Sequence, residues 1–195
     1  MQPALDQLAA LAERPDARID LPRAALQISR LVRPELDPRR YLGRLDALAQ
    51  QARVSVTASG PLVERVEALN AFVFERLGFS GDQDDFYDPR NSFLDQVLDR
   101  RVGIPITLSL VYTEVGTRAG LPLQGVGFPG HFLVKAGQGP GSLVIDVFSG
   151  GKLLTESDLN ARLDAIYGAG ALSIRAKPAL LRAARVVIRL RYSAA

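Results

Sequence analysis

The chain has 195 residues with no cysteine, no tryptophan, one methionine and one histidine. This composition excludes disulfides, thiolate zinc sites, a cysteine nucleophile and any metal site built on two histidines of one chain, and it leaves His131 as the one side chain whose ordinary pKa lies near neutrality. The net charge of +3 is uneven: residues 177–195 hold Lys177, Arg182, Arg185, Arg189 and Arg191 with no acid, so the remainder carries −2.

Apolar residues make up 47% of the chain, enough for a sizeable core, and the length suits one domain, or one domain with an appendage. No apolar run is long enough to span a bilayer, and the N-terminus lacks a basic stretch followed by a hydrophobic one. The expectation is a soluble, cytoplasmic protein with no membrane partner.

The first half reads helical. Residues 3–13 place leucines at 5, 8 and 11, and residues 22–33 open on Pro22 and carry Leu26, Ile28, Leu31 and Val32 as the apolar set. Residues 38–52 open on Pro38 and repeat Tyr41, Leu45 and Leu48 at helical spacing. The span 61–77 is the strongest helix, with Leu62, Val66, Leu69, Val73 and Leu77 on one face and Gly78 as a left-handed cap. An acidic loop follows, and Ser92 with Asp95 predicts a capping box for a helix over 93–100, with Phe93, Leu94, Val97 and Leu98 inward. Pro105 suits the first turn of the next helix and Gly120 its C-terminal cap. Leu108, Val111, Tyr112 and Val115 share a face that has no charge before Glu114, which predicts a central, buried helix.

After Gly120 the period changes to that of strands. The runs 121–128, 131–136 and 142–148 are short, β-rich and bounded by glycine or proline. Thr155 with Asp158 opens a helix to about Tyr167, and residues 178–192 suit a last basic helix. Helices first and then a small antiparallel sheet make the class α+β. The expected divisions are a helical lobe over 1–58, a core over 59–170 and a basic helix or tail over 171–195.

One constellation carries chemistry. If the turn between 136 and 142 is centred between Gln138 and Gly139, Val134 faces Leu143, Phe132 faces Ile145 and His131 faces Asp146. Directly opposed side chains lie about 4.5–5.5 Å apart at Cβ, so the Asp146 carboxylate would orient the imidazole and stabilise its cation, two-thirds of a nucleophile–base–orienter triad. A slip of one residue would send the two side chains to opposite faces. The plainer reading of the pair is a cross-strand contact.

The segments DPRNS, GIPITLS and GVGFPGHFLV, followed by IDVFSGG, together resemble the bacterial SirB family of transglutaminase-like proteins over roughly residues 20 to 170. The resemblance implies a papain-like core in which a helix packs on an antiparallel sheet. It implies the histidine position for His131 and the aspartate position for Asp146, and it puts the cysteine position at about Pro105, which has neither a nucleophile nor an N–H. It also implies a tetratricopeptide-like extension, of which residues 177–195 supply one helix length without the repeat pattern.

Thr107 and Ser109 are the alternative nucleophiles. Hydroxyls in an apolar helix usually bond back to a carbonyl one turn earlier, and Ser109 stands a full turn, about 5–6 Å, from the cysteine position. Asp88, Arg90 and Asn91 are cleft-lining candidates: Asn91 would donate to a bound carbonyl and Arg90 to a carboxylate. The weightier reading of these three is a turn with helix-capping residues.

The favoured function is thus a pseudoenzyme that binds an unidentified protein or peptide through the old cleft, with no cofactor and no metal. The alternative is a hydrolase or acyltransferase in which His131 and Asp146 activate a hydroxyl or a water. The 177–195 segment is the one hint of nucleic-acid binding, and the body lacks the basic stripe with interleaved aromatics that would support it.

Overall fold

A computed structural model describes residues 2–12, 19–56 and 60–169. The helices are α1 (Gln2–Ala12), α2 (Leu21–Val32), α3 (Pro38–Ser55), α4 (Leu62–Asn70), α5 (Leu94–Arg100), α6 (Pro105–Arg118) and α7 (Glu156–Tyr167). The strands are β1 (Ser80–Gly81), β2 (Val102–Gly103), β3 (Leu123–Phe128), β4 (His131–Ala136), β5 (Leu143–Asp146) and β6 (Lys152–Leu154). Strands β1 and β2 pair in parallel, while β3-β4-β5-β6 form one antiparallel sheet in sequence order. The class is mixed helix and sheet, α+β. The basic helix expected over 178–192 lies outside the described residues.

Helix boundaries follow from local chemistry. Asp20 and Asp37 cap α2 and α3, each followed within two positions by proline, the residue preorganised for a first helical turn. Thr155 and Asp158 form a reciprocal capping box at α7. Gly120, at φ +97°, lies just past α6 and takes the left-handed turn that side chains resist.

Helix α6 is the hub. Its buried face of Leu108, Val111, Tyr112 and Val115 joins Leu26 of α2, Leu45 of α3 and Val97 of α5 in the larger core. The same core takes in Val134 of β4 and Ile145 of β5. The opposite face of the sheet is covered by α7, where Leu159 and Leu163 pack with Phe128, Leu133 and Leu154 in a second cluster. The sheet is therefore sandwiched, and its alternation assigns odd-numbered Leu133 to the α7 side and even-numbered Val134 to the α6 side.

Three expectations are corrected. In α2, Ile28 and Val32 are exposed at 47% and 58%. The buried side runs through Pro22, Leu26 and Ser29 instead, and the Ser29 hydroxyl donates to the Ala25 carbonyl at 3.3 Å. The helix expected over 61–77 keeps α geometry only to Asn70 and continues as a π-turn over Ala71–Arg76. There the Leu77 N–H reaches back five residues to the Phe72 carbonyl (3.0 Å), and the wider turn brings adjacent Phe72 and Val73 both into the core.

The Ser92–Asp95 capping box does not form. Ser92 belongs to a 3-10 turn over Pro89–Ser92, and α5 starts without a side-chain cap. Asp95 is instead buried and takes a two-pronged contact from Arg33, with Nε to Oδ2 at 2.8 Å and Nη2 to Oδ1 at 2.7 Å. Burial pushes the Asp95 carboxyl up, but its hydrogen bonds, led by Arg33, outweigh that and hold it below the ordinary carboxylate range. The Arg33 guanidinium also stands over the Phe93 ring at 4.6 Å, so one side chain joins the end of α2 to the start of α5.

Removing Asp95 leaves Arg33 without its main partner. Because Arg33 is only about a quarter exposed, Asp95→Ala is expected to cost about 2–3 kcal/mol, below the range for a fully buried pair. The check is the urea midpoint at neutral pH. A shift equal to that of a control substitution at exposed Asp46 removes the assignment.

Candidate functional site

Strands β3 and β4 meet through the two-residue turn Pro129–Gly130, with Phe128 paired to His131. Gly130 lies at φ +67°, the left-handed value that the third position of a type II turn requires after proline. His131 thus heads β4 at the end of the sheet. Strand β5 ends on Asp146, and the turn 147–151 follows.

The register differs from the expected one by two residues. Val134 opposes Ile145 and Ala136 opposes Leu143, because the connection carries a 3-10 turn over Gly139–Gly141 that moves its centre one position along. Asp146 therefore stands level with Leu133, and His131 is its diagonal neighbour. A shift of two preserves the face where a shift of one reverses it, and diagonal neighbours remain within reach of long side chains. His131 Nε2 is 2.9 Å from Asp146 Oδ1.

Asp146 is fully buried and is surrounded by donors. Oδ1 also accepts from the backbone N–H groups of Phe148 (3.1 Å) and Ser149 (3.3 Å). Oδ2 accepts from the Ser149 hydroxyl at 2.9 Å and from Arg162 Nη2 of α7. Burial pushes the carboxyl up, but hydrogen bonds from His131, Arg162 and Ser149 prevail and hold it far below the ordinary range. An ionised carboxylate only accepts, so His131 Nε2 carries the proton of the shared bond, and the tautomer this selects has its lone pair at Nδ1. Nδ1 is the nitrogen available for base chemistry or for accepting a hydrogen bond from a bound group.

The turn after Asp146 is held from the other side of the sheet. The Gly151 N–H donates to the Asp146 carbonyl at 2.9 Å, and the Gly151 carbonyl accepts from Asn70 Nδ2 at 2.9 Å. Asn70 Oδ1 in turn accepts from the buried Tyr112 hydroxyl at 2.8 Å. A Cβ on Gly151 would come within 2.4 Å of Asn70 Oδ1, so glycine is required for this approach.

A line of rings leads from His131 to the acidic loop. His131 meets Phe148 edge-on at 6.0 Å between centroids, Phe148 meets Phe86 at 5.8 Å, and Phe86 meets Tyr87 at 5.3 Å. Gly81 lies under Phe148, where a Cβ would be 2.5 Å from the Phe148 carbonyl oxygen. Gly81 pairs with Gly103, two residues before Pro105. The end of the sheet that carries His131 is thereby tied to the start of α6.

The other expected residues are drawn together by a separate network. Asn91 is fully buried: its Nδ2 donates to Asp82 Oδ2 and to the Asp85 carbonyl, both at 2.9 Å, and its Oδ1 accepts from Arg100 at 3.1 Å. Asp88 caps the 3-10 turn through the Arg90 N–H and is paired with the Arg90 guanidinium. Hydrogen bonds from Arg90 hold the Asp88 carboxyl below its ordinary range. These contacts are those of a turn. Pro105 opens α6, and the Thr107 hydroxyl shares its proton between the carbonyls of Asn91 (2.7 Å) and Ile104 (3.1 Å). Ser109 Oγ is buried with no hydrogen-bond partner among the described residues.

Residues 39–190 match the family model described as the transglutaminase-like superfamily. The chain belongs to the transglutaminase-like superfamily. It is 39% identical over 174 residues to a UPF0162 protein of Xylella fastidiosa, covering 89% of this chain and 62% of that protein. It is 31% identical over 146 residues to a UPF0162 protein of Vibrio cholerae, covering 74% of this chain and 54% of that protein. F-box only protein 21 of Mus musculus matches over 83 residues at 41% identity, which is 43% of this chain and 13% of that protein. The chain thus spans little more than half the length of the bacterial relatives. No solved structure matches.

Within this transglutaminase-like chain, Phe148, Ser149 and Arg162 are site residues that the sequence reading missed. Ser149 carried a signal, since an aspartate before a Gly-Gly turn is placed to accept backbone N–H groups two and three residues on. Arg162 carried one too, being adjacent to Leu163 on the buried side of α7. Among the described residues no group of three or more metal-ligating side chains occurs, and no helix is long and apolar enough to cross a membrane.

The depressed Asp146 carboxyl makes a prediction about pH. Its folded value lies below the unfolded one, so its contribution to stability is complete above about pH 5 and is lost as pH falls through the carboxylate range. Asp146→Asn is expected to cost about 2 kcal/mol at pH 7, a discounted figure because Arg162 is partly solvated. The gap to the parent protein should narrow steadily as urea unfolding is repeated from pH 5 to pH 3. A gap constant with pH removes the buried ion pair as its cause.

Proposed function

We propose that this chain is a non-catalytic member of the transglutaminase-like superfamily that binds a protein or peptide segment at the end of the sheet where His131 stands. The finer assignments, a papain-like arrangement of the core and membership of the SirB family, belong to the same reading and rest on the motifs around Pro105, His131 and Asp146.

The observation that carries it is the state of the first turn of α6. Pro105 has no nucleophilic atom, and the next hydroxyl, Thr107, is already bonded to the Asn91 and Ile104 carbonyls. Using Thr107 as a nucleophile would leave the buried Asn91 carbonyl short of a donor, at a cost of about 1–3 kcal/mol. Ser109 is 1% exposed and so is closed to a substrate. Neither hydroxyl at the start of α6 is thus free to act as an attacking group for the His131–Asp146 pair, and on this reading Nδ1 serves as an acceptor for a peptide N–H.

The test compares the parent protein with Thr107→Ala, Ser109→Ala and His131→Ala on acyl esters and peptide amides, alongside capture of peptide partners. Equal background hydrolysis by all four, with a partner retained by the parent and lost by His131→Ala, is the expected result. A rate that falls tenfold or more in the His131 variant or in either hydroxyl variant instead establishes catalysis, by an activated water or by that hydroxyl.

A further inference from the structure

The acidic loop between β1 and α5 presents two aromatic side chains to solvent. Tyr87 is 90% exposed and Phe86 41% exposed, yet the loop that carries them is fastened throughout. Asp82 Oδ1 accepts from the Asp85 N–H at 2.9 Å, the Asp88 N–H donates to the Asp85 carbonyl at 3.1 Å, and Asn91 bonds both Asp82 and the Asp85 carbonyl. Phe86 is further seated edge-on against Phe148. Adjacent exposed aromatics on a fastened loop are the kind of surface that binds, since their ordering entropy is already spent.

The charge around this ledge is predominantly negative. Residues 82–88 carry four carboxylates, Asp82, Asp84, Asp85 and Asp88. The two guanidiniums that face them, Arg90 and Arg100, are engaged by Asp88, Asp82 and the Asn91 carboxamide. Arg101 turns away to the Leu77 carbonyl. The local balance is two negative charges in excess, and Asp84 and Asp85 are both exposed. An exposed tyrosine on a loop that also exposes two carboxylates suits a guanidinium or ammonium, which gains from the ring and from the acids together.

We infer that the Asp84–Tyr87 ledge, continued by Phe148 and His131, is the docking surface for a cationic segment of a partner protein, with an arginine or lysine over Tyr87 and the peptide backbone running toward His131. This names the chemistry of the partner and rests on the binding reading above.

The test uses the full chain and three acetylated, amidated nonapeptides of glycine and alanine that carry three arginines, three glutamines or three glutamates. Binding is followed by backbone amide shifts and by the ring signals of His131, which is unambiguous as the one histidine in the sequence. The arginine peptide should shift Asp84–Tyr87, Phe148 and His131 and bind about tenfold more tightly than the glutamine peptide, with the glutamate peptide weakest. Asp84→Asn with Asp85→Asn should remove that preference, and Tyr87→Ala should weaken the arginine peptide about tenfold while leaving the amide spectrum of the core unchanged.

Equal binding of the arginine and glutamine peptides overturns the cationic partner and leaves the peptide-binding reading standing. Shifts by none of the three overturn the docking surface, while loss of the partner in His131→Ala still reports on the reading beneath it. Tighter capture of the arginine peptide by a full chain with Arg182, Arg185, Arg189 and Arg191 changed to glutamine would assign the ledge to the chain's own basic segment, and would overturn a partner protein as its occupant.

Discussion

A single carboxylate fixes how the ends of three elements meet, beyond the pairing of β4 with β5 and the packing of α7 on the sheet. Asp146 ends β5 and is removed from water, so its charge has to be matched from within the fold. The head of β4 supplies His131, the following turn supplies two N–H groups and a hydroxyl, and α7 supplies Arg162. If any one of them moves away, a buried anion is left short of a donor. The diagonal placement of His131, the tight Gly150–Gly151 turn and the rotation of α7 about its axis are all constrained by that requirement. Packing alone would hold them more loosely, since Leu159 and Leu163 tolerate small rotations of α7 that a hydrogen bond from Arg162 does not.

Asn91 performs the same office for the loop before α6. Its carboxamide uses both donors and its acceptor, its backbone N–H donates to the Asp88 carbonyl, and its own carbonyl accepts from Thr107. A fully satisfied buried polar residue fixes one conformation, because every alternative breaks a bond that water cannot replace. The consequence reaches the chemistry. The hydroxyl nearest the start of α6 is held in a structural bond, and the loop is rigid enough to keep Phe86 and Tyr87 at the surface.

The helices and the main hairpin were legible in the sequence because their signals are local. Prolines after Asp20 and Asp37, the Thr155–Asp158 box and the apolar face of α6 each act within a turn or two of chain. What escaped were outcomes of competition between distant groups. Asp95 reads as a capping residue until Arg33, 62 positions away, claims it. The hairpin register depends on how a glycine-rich connection of six residues folds, and glycine leaves that open. The juxtaposition of His131 and Asp146 survives the two-residue error only because side-chain direction has period two. Strands β1, β2 and β6 are two or three residues long, too short for any alternation to show.

On the reading proposed above, the His131–Asp146 pair has to be weighed against a start of α6 that offers no free nucleophile. A hydrogen-bonded imidazole and carboxylate are easily read as evidence of catalysis, but the energetics of Asp146 offer a sufficient reason for both side chains to be there. Replacing His131 removes a donor from a buried anion, and replacing Asp146 strands Arg162 and the turn N–H groups, so the pair is held in place by stability whether or not a reaction occurs. The exposed ring of Tyr87 has no such reason. It gains nothing from solvent, and its one ring contact is the edge of Phe86, while the backbone bonds that fasten its loop do not involve the ring. Of the features around His131, the one with the least structural explanation is therefore the one that speaks most directly to contact with another molecule.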